Sequence, residues 1–228
     1  MSIKLSLWCC CMLAMTQFGF AQSKFAEGVI NYLITIEGSK DPNMALLNNS
    51  SLTALFKGNM NKVKLDIMGG LVSINTILDE QKKEGLMLMD MMAKQMAVKI
   101  SKSDFEEGSA ASIPKISPSS ETKTIAGYLC KKSTFKAENG EQVTIYTSDK
   151  IQPKNNSFLQ KIVGNLKGFP LGMETKLPDG GTIKLIAQSI EKNSPEKHHF
   201  NMKIPTGYEV TTLEELQNKA GGKGLFGK

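Results

Sequence analysis

The chain has 228 residues, of which 40% are hydrophobic and 22% charged, and a formal net charge of +6. That composition excludes collagen, a disulfide scaffold and wholesale disorder, and it leaves material for a packed core. All 28 basic residues are lysine and aromatics are only 7%. Arginine's bidentate contacts to bases and phosphates are therefore absent, and no nucleic-acid partner is expected.

Residues 1–21 read as a secretory signal peptide. Lys4 supplies the positive start, and Leu5 to Met15 is an apolar stretch too short to cross a bilayer core of ~30 Å as a helix. Gly19-Phe20-Ala21 places small residues at the −3 and −1 positions of a cleavage site. The expected location is periplasmic or secreted, after cleavage near Ala21. Cys9, Cys10 and Cys11 lie inside the apolar stretch and leave with it; all three come too early, and Trp8 is too large, for lipid attachment at Cys9. Cys130 then has no cysteine to pair with, so packing must hold the fold.

The remaining chain, 22–228, reads as a single β-rich domain in which apolar and polar residues alternate. Val29 to Glu37 is a strand with two apolar faces. Asp41 and Pro42 open a helix predicted over 42–56. In 61–68, Val63, Leu65 and Ile67 share one face while Lys62, Lys64 and Asp66 share the other, the mark of a half-buried strand. Gly69-Gly70 suits a tight turn. Strands near 71–79, 86–92 and 95–100 complete a four-stranded antiparallel meander. A flexible loop is expected at 102–122.

Strands resume at 124–136 and 142–148, joined at Asn139-Gly140. A short helix fits 156–166, with Phe158, Leu159, Ile162, Val163 and Leu166 on one stripe. Strands are predicted at 171–177 and 182–191 around Pro178-Asp179-Gly180-Gly181, and a last one through Phe200, Met202 and Ile204. Thr212 with Glu215 forms a capping box that opens a terminal helix. The tail, 219–228, is expected to fray. The tally predicts a mainly antiparallel β fold of the α+β kind. About ten strands and a few short helices would form a curved sheet or half-barrel, because twisted sheets of this width curl.

Its concave side is a candidate cavity. Val63, Leu65 and Ile67, with Met87, Met89, Met91 and Met96, are the candidate lining for an apolar, lipid-like ligand, methionine being unbranched and adaptable. The same four methionines are also the candidate thioether ligands of a soft metal such as Cu(I). A third reading makes them ordinary core. His198 and His199 read as solvated, since neighbours on a strand face apart. Cys130 reads as a small buried hydrophobe, although Lys131 and Lys132 would activate it if it were exposed. The sequence contains no Gly-rich phosphate loop, HExxH, GxSxG or paired-cysteine spacing, so no catalytic residue and no cofactor are assigned.

Four segments carry a family resemblance: Phe25-Ala26-Glu27-Gly28-Val29-Ile30, Thr124-Ile125-Ala126-Gly127-Tyr128-Leu129-Cys130-Lys131-Lys132, Gly168-Phe169-Pro170-Leu171-Gly172-Met173-Glu174 and Phe200-Asn201-Met202-Lys203-Ile204-Pro205-Thr206-Gly207-Tyr208. In this order they resemble an exported bacterial family with a "domain of unknown function", distantly similar to the lipoprotein carriers LolA and LolB. The stretch Gly168 to Met173 is also similar to the motif of an exported family named for Gly-Leu-Pro-Gly-Leu-Ile. The first resemblance implies a curved antiparallel sheet around helices with a hydrophobic cavity. The carriers' sheet arginine has no counterpart here, so the implication extends to a fold and a greasy concavity. The expected function is that of a non-enzymatic periplasmic binding or carrier protein for an apolar, lipid-like ligand. It is expected to act as a monomer; the alternatives are Cu(I) binding and an envelope protein partner.

Overall fold

The computed structural model describes residues 23–92, 94–107, 115–137, 140–155 and 166–219. The predicted signal peptide, the body of the helix at 156–166, Asn139 and the tail beyond Lys219 lie outside the described residues.

Strand β1 (Gly28–Glu37) leads into helix α1 (Pro42–Leu47). The Asp41 carboxylate accepts the Asn43 amide at 2.8 Å, as the sequence predicts for its cap. The helix stops far short of residue 56. The Asn48 side chain accepts the Ile36 amide at 2.9 Å, Asn49 turns through a positive φ of 60°, and Ser50–Lys57 is strand β2. Strands β3 (Met60–Ile67), β4 (Val72–Asp79), β5 (Glu84–Met91) and β6 (Lys94–Ile100) follow as the expected antiparallel meander, with β2 paired to β3 ahead of them. Gly69 and Gly70 make the β3–β4 turn at φ 67° and 94°, a region open to glycine at no steric cost.

Segment 102–122, read as a loop, holds helix α2 (Lys102–Glu107) and most of strand β7 (Ser117–Ile125) among its described residues. The predicted single strand 124–136 is instead the end of β7, a two-residue turn at Ala126-Gly127 with φ 47° and 82°, and strand β8 (Tyr128–Lys136). Strands β9 (Gln142–Ser148), β10 (Phe169–Lys176) and β11 (Thr182–Glu191) fall where expected. The predicted strand through Phe200 to Ile204 does not form: Lys197–Phe200 is a 3-10 turn, and the last strand is β12 (Glu209–Thr212). Helix α3 (Leu213–Lys219) starts on the predicted capping box. The Glu215 amide donates to Thr212 Oγ1 at 3.2 Å, and the Thr212 amide donates to Glu215 Oε2 at 3.3 Å.

The twelve strands form one large open, curved sheet in the order β12-β6-β5-β4-β3-β2-β1-β11-β10-β9-β8-β7. All pairs are antiparallel except β12 with β6. The count exceeds the predicted ten, while the mainly antiparallel class with short helices is as expected.

Two devices shape the sheet. At one end it rolls. The position a Cβ would take on Gly172 of β10 is hemmed in by Ile125 Cδ1 of β7 at 2.9 Å and Ile186 Cδ1 of β11 at 3.1 Å. Strand β7 is three places from β10, roughly 14 Å on a flat sheet at the ordinary strand spacing, so contact requires tight curling. Register shifts at Asn31/Tyr32 and Pro170/Gly172 supply it, because an irregular extra residue bends a strand. Inside the roll lies the main core. Phe56 is 5.5 Å from Phe169 and 6.1 Å from Phe25 by ring centroids, and the Tyr32 hydroxyl donates to the Pro170 carbonyl at 2.8 Å.

At the other end the chain wraps the sheet. After β11 it crosses one face, seating Phe200 and Met202 on Leu55 and Ile77. Tyr208 donates to Asp90 at 2.6 Å on the way. The chain then pairs as β12 beside β6 and sends α3 over the opposite face.

Candidate functional site

Antiparallel pairing puts cross-strand partners on the same face of a sheet. The register therefore assembles one row across seven strands: Ala187, Tyr32, Leu52, Leu65, Ile74, Met89 and Met96. Every member is apolar or aromatic. One step along the strands, Ile30, Ala54, Val63, Thr76, Met87 and Val98 form a second row. One step the other way, Ile67, Val72 and Met91 lead to Lys94. All seven sequence-predicted lining residues thus share one face, spread over three adjacent rows.

They do not share one environment. Met87, Met89 and Met96 are only 6%, 2% and 6% exposed, because Leu213 and Leu216 of α3 pack on them together with Val98. The helix rather than open space lies over that part of the face. Val63, Leu65, Ile67 and Val72 are partly buried, as are Ile74 and Met91, which pack against that helix-covered cluster, and Leu52, which packs against the main core. The least covered part of this apolar face is therefore the middle of the sheet, β2 to β4 with the near edge of β5. Sequence reasoning missed Leu52 because its strand was read as helix. Ile74 was missed because its strand was located without assigning its faces; its partnership with Leu65 needed the register.

The reverse face carries the Leu55 and Ile77 patch under Phe200 and Met202 and, beside it, a polar region. A polar depression of about 400 Å³ is lined by Asn49, Ser51, Lys64, Asp66, Gly69, Gly70 and Ser73. Its charges satisfy one another: Lys64 Nζ is 2.7 Å from Asp66 Oδ2, and Ser73 Oγ donates to Asp66 Oδ1 at 2.7 Å. Burial and the neighbouring Lys64 charge hold the Lys62 amine below its ordinary pKa.

Cys130 is 0% exposed, and its thiol hydrogen points to the Tyr128 carbonyl at 3.4 Å. Burial pushes its pKa up to about 11, the opposite of what a nucleophile needs. His198 and His199 sit in the 3-10 turn with ring centroids 4.1 Å apart, and His198 Nδ1 is 3.1 Å from Glu196. Partial burial, with the nearby His198 and Lys62 charges, lowers the His199 pKa. Among the described residues no group of three His, Cys, Asp or Glu side chains could hold a metal ion.

No protein-family model matches the sequence, and no curated protein matches it. Solved structures resemble it in architecture. PNGF-II in its C2 crystal form aligns over 86% of this chain at 17% identity and a TM-score of 0.52, and in its P21 form over 85% at 14% and 0.50. The chain spans 32% of the length of PNGF-II, and the likeness is one of fold. A LolA superfamily protein, NE2245 from Nitrosomonas europaea, aligns over 80% of this chain and 91% of its own at 11% identity and a TM-score of 0.34. MucB in the Pseudomonas aeruginosa MucA/MucB complex aligns over 82% of this chain and 58% of its own at 8% identity and 0.41.

Proposed function

We propose that the protein is a non-enzymatic, exported binding or carrier protein for an apolar, lipid-like ligand, acting as a single-domain monomer, and that the ligand lies on the apolar face of β2 to β5. The observation that carries this reading is the only partly buried stretch Leu52, Leu65 and Ile74 within an otherwise buried seven-strand apolar row. A soluble sheet ordinarily alternates buried apolar with solvated polar faces. Here the charged side chains of β3 already occupy the other face, so the apolar side is the one left short of cover. Contact with hydrocarbon would remove it from water at ~0.8 kcal/mol per buried methylene, strong enough to hold a chain and weak enough to release it.

Native mass spectrometry of gently purified protein, combined with titration of a fluorescent fatty acid, tests the reading. The expected results are a co-purifying lipid mass and saturable binding. Leu65→Asn should weaken that binding about tenfold or more, since burying a leucine contributes ~1.5–3 kcal/mol. Absence of both co-purified lipid and dye binding would remove the proposal.

A second reading is favoured by one specific observation: Met89 and Met96 are direct cross-strand partners with Met87 and Met91 flanking on the same face. Met89 and Met96 with one flanking methionine would make a thioether set of the kind that suits Cu(I), Met87 and Met91 being roughly 13 Å apart along the strand. Anaerobic Cu(I) titration of wild type and Met89→Leu separates the two, because the lipid reading expects no change in Cu(I) uptake between them.

A further inference from the structure

Between β11 and β12 the chain forms a strap, residues 192–208, across the reverse face of the sheet. Phe200, 8% exposed, and Met202 seat it on Leu55 of β2 and Ile77 of β4, with Val29 and Met60 beside them. The residue between Leu55 and Ile77 in the cross-strand row is Lys62 of β3. A cation therefore stands in the middle of the patch that the strap covers. The 3-10 turn carrying Phe200 packs on β3 and brings His198 and His199 there, their ring centroids 4.1 Å apart. The other charges around the turn give Lys62 little relief. Glu196 is held by His198 Nδ1 at 3.1 Å, Asp66 by Lys64 and Ser73, and Asp79 by the Gln81 and Lys82 amides. Lys57 donates to the Pro195 carbonyl at 2.7 Å, and Lys197 lies exposed on the turn itself. Glu191 of β11 and Lys99 of β6 end the row, each three strands from Lys62, roughly 14 Å at the ordinary spacing.

We infer that the strap is an acid-released clasp: protonation of His198 and His199 beside Lys62 drives Phe200 and Met202 off Leu55 and Ile77 and uncovers that apolar patch. The balance of charge sets the direction. An uncharged imidazole sits over the Lys62 amine at no electrostatic cost. In acid the same turn gains positive charge beside a cation whose row neighbours are leucine and isoleucine, not carboxylates. Opening moves the rings into water, where salt screens their charge. The linkage has the matching sign. Partial burial, with the His198 and Lys62 charges, holds His199 below its ordinary value of 6.5 while the strap is closed. Opening therefore takes up protons, so the stability of the closed strap is intact above pH 6.5 and is lost as pH falls below it. Two tethers bracket the segment that lifts: Lys57 on the Pro195 carbonyl and Tyr208 on Asp90.

The test is methyl NMR of the full chain between pH 7.5 and 5. The reporters are the Leu55 and Ile77 methyl groups, whose resonances the seated Phe200 ring displaces; the controls are the methyl groups of Ile30 and Ile145, both 0% exposed. In wild type the reporters should move toward solvent-exposed values and lose their Overhauser contacts to Phe200 as pH falls, while the controls hold. The ratio of open to closed strap should rise about fivefold or more, since each proton taken up on opening favours it by up to about tenfold per pH unit. His198→Gln combined with His199→Gln should abolish the change. Lys62→Met should keep the strap closed to lower pH and raise the pH at which the His199 ring titrates, and Glu196→Gln should open the strap at higher pH. The inference is overturned if wild type shows no change, if the double variant changes as wild type does, if Lys62→Met opens at the wild-type pH, or if the controls move together with the reporters. No ligand enters the experiment, so its outcome is independent of the carrier reading.

Discussion

Cys130 shows how one buried group ties chemistry to stability. Its thiol is sealed from solvent and stays protonated up to about pH 11. In the unfolded chain it ionises near its ordinary value of 9.0. Between those two values the unfolded state has released a proton that the folded state retains, so stability is intact below pH 9 and falls as pH rises toward 11. Tyr32, whose phenol is raised further by burial and the neighbouring Cys130, extends the decline. Two measurements follow. A thiol-alkylating reagent at pH 8 should label Cys130 only after denaturation. Urea midpoints taken from pH 8 to 11 should drop less steeply in Cys130→Ala than in wild type; parallel slopes would place the titration elsewhere. Ala126 makes a different residue-scale case. It holds a φ of 47° in a turn where Gly127 does the same at no cost. Left-handed backbone disfavours a side chain by ~1–2 kcal/mol, so Ala126→Gly should stabilise the protein slightly, by up to about 1 kcal/mol, measured by the same urea titrations.

Among the elements, α3 has the greatest influence for its size. Seven residues make a marginal helix on their own. What holds it are the reciprocal Thr212–Glu215 bonds and the seating of Leu213 and Leu216 on the methionines. Thr212→Ala should cost about 1 kcal/mol. Leu216→Asp should unseat the helix, exposing Met87, Met89 and Met96 and raising binding of an apolar dye while the sheet's circular dichroism persists. This element was legible because a capping box is a local signal. The neighbouring cases were not local. Asp41 and Pro42 announce a helix correctly, but nothing in Ser50–Lys57 marks its end: Leu52, Ala54 and Phe56 fit a strand, and Met44, Leu47, Ala54 and Leu55 also fit a helical stripe. The strand prevails because β1 and β3 offer hydrogen bonds on both sides. Strand β7 read as a loop since its outer edge is free and its side chains are mostly exposed, leaving no alternation to detect. The seven lining residues were recognisable as one apolar set from period two alone. Their division into a helix-covered group and a less covered group depends on where α3 docks, which period two does not encode.

At the scale of the molecule, β1 is the seam. On one side of it lie β2 to β6, each hairpin-linked to the next; on the other lie β11 to β7. Apart from β12 on β6, both flanks are built from pairings between strands that follow one another in the chain, whereas β1 with β11 joins Val29 to Glu191, most of the described chain apart. Distant pairings form slowly because loop-closure entropy precedes their gain. Until β11 arrives, the outer edge of β1 presents a row of unpaired amides and carbonyls, with Ile30, Tyr32 and Ile34 beside them, to any other chain in solution. Refolding yield should therefore fall with protein concentration, with light scattering rising during the lag, and Ile186→Asp, which weakens β11 at its pairing with Leu33, should deepen the loss. A molecule whose central strand is made first and completed last depends on dilution, or on a chaperone's grip, during the interval between.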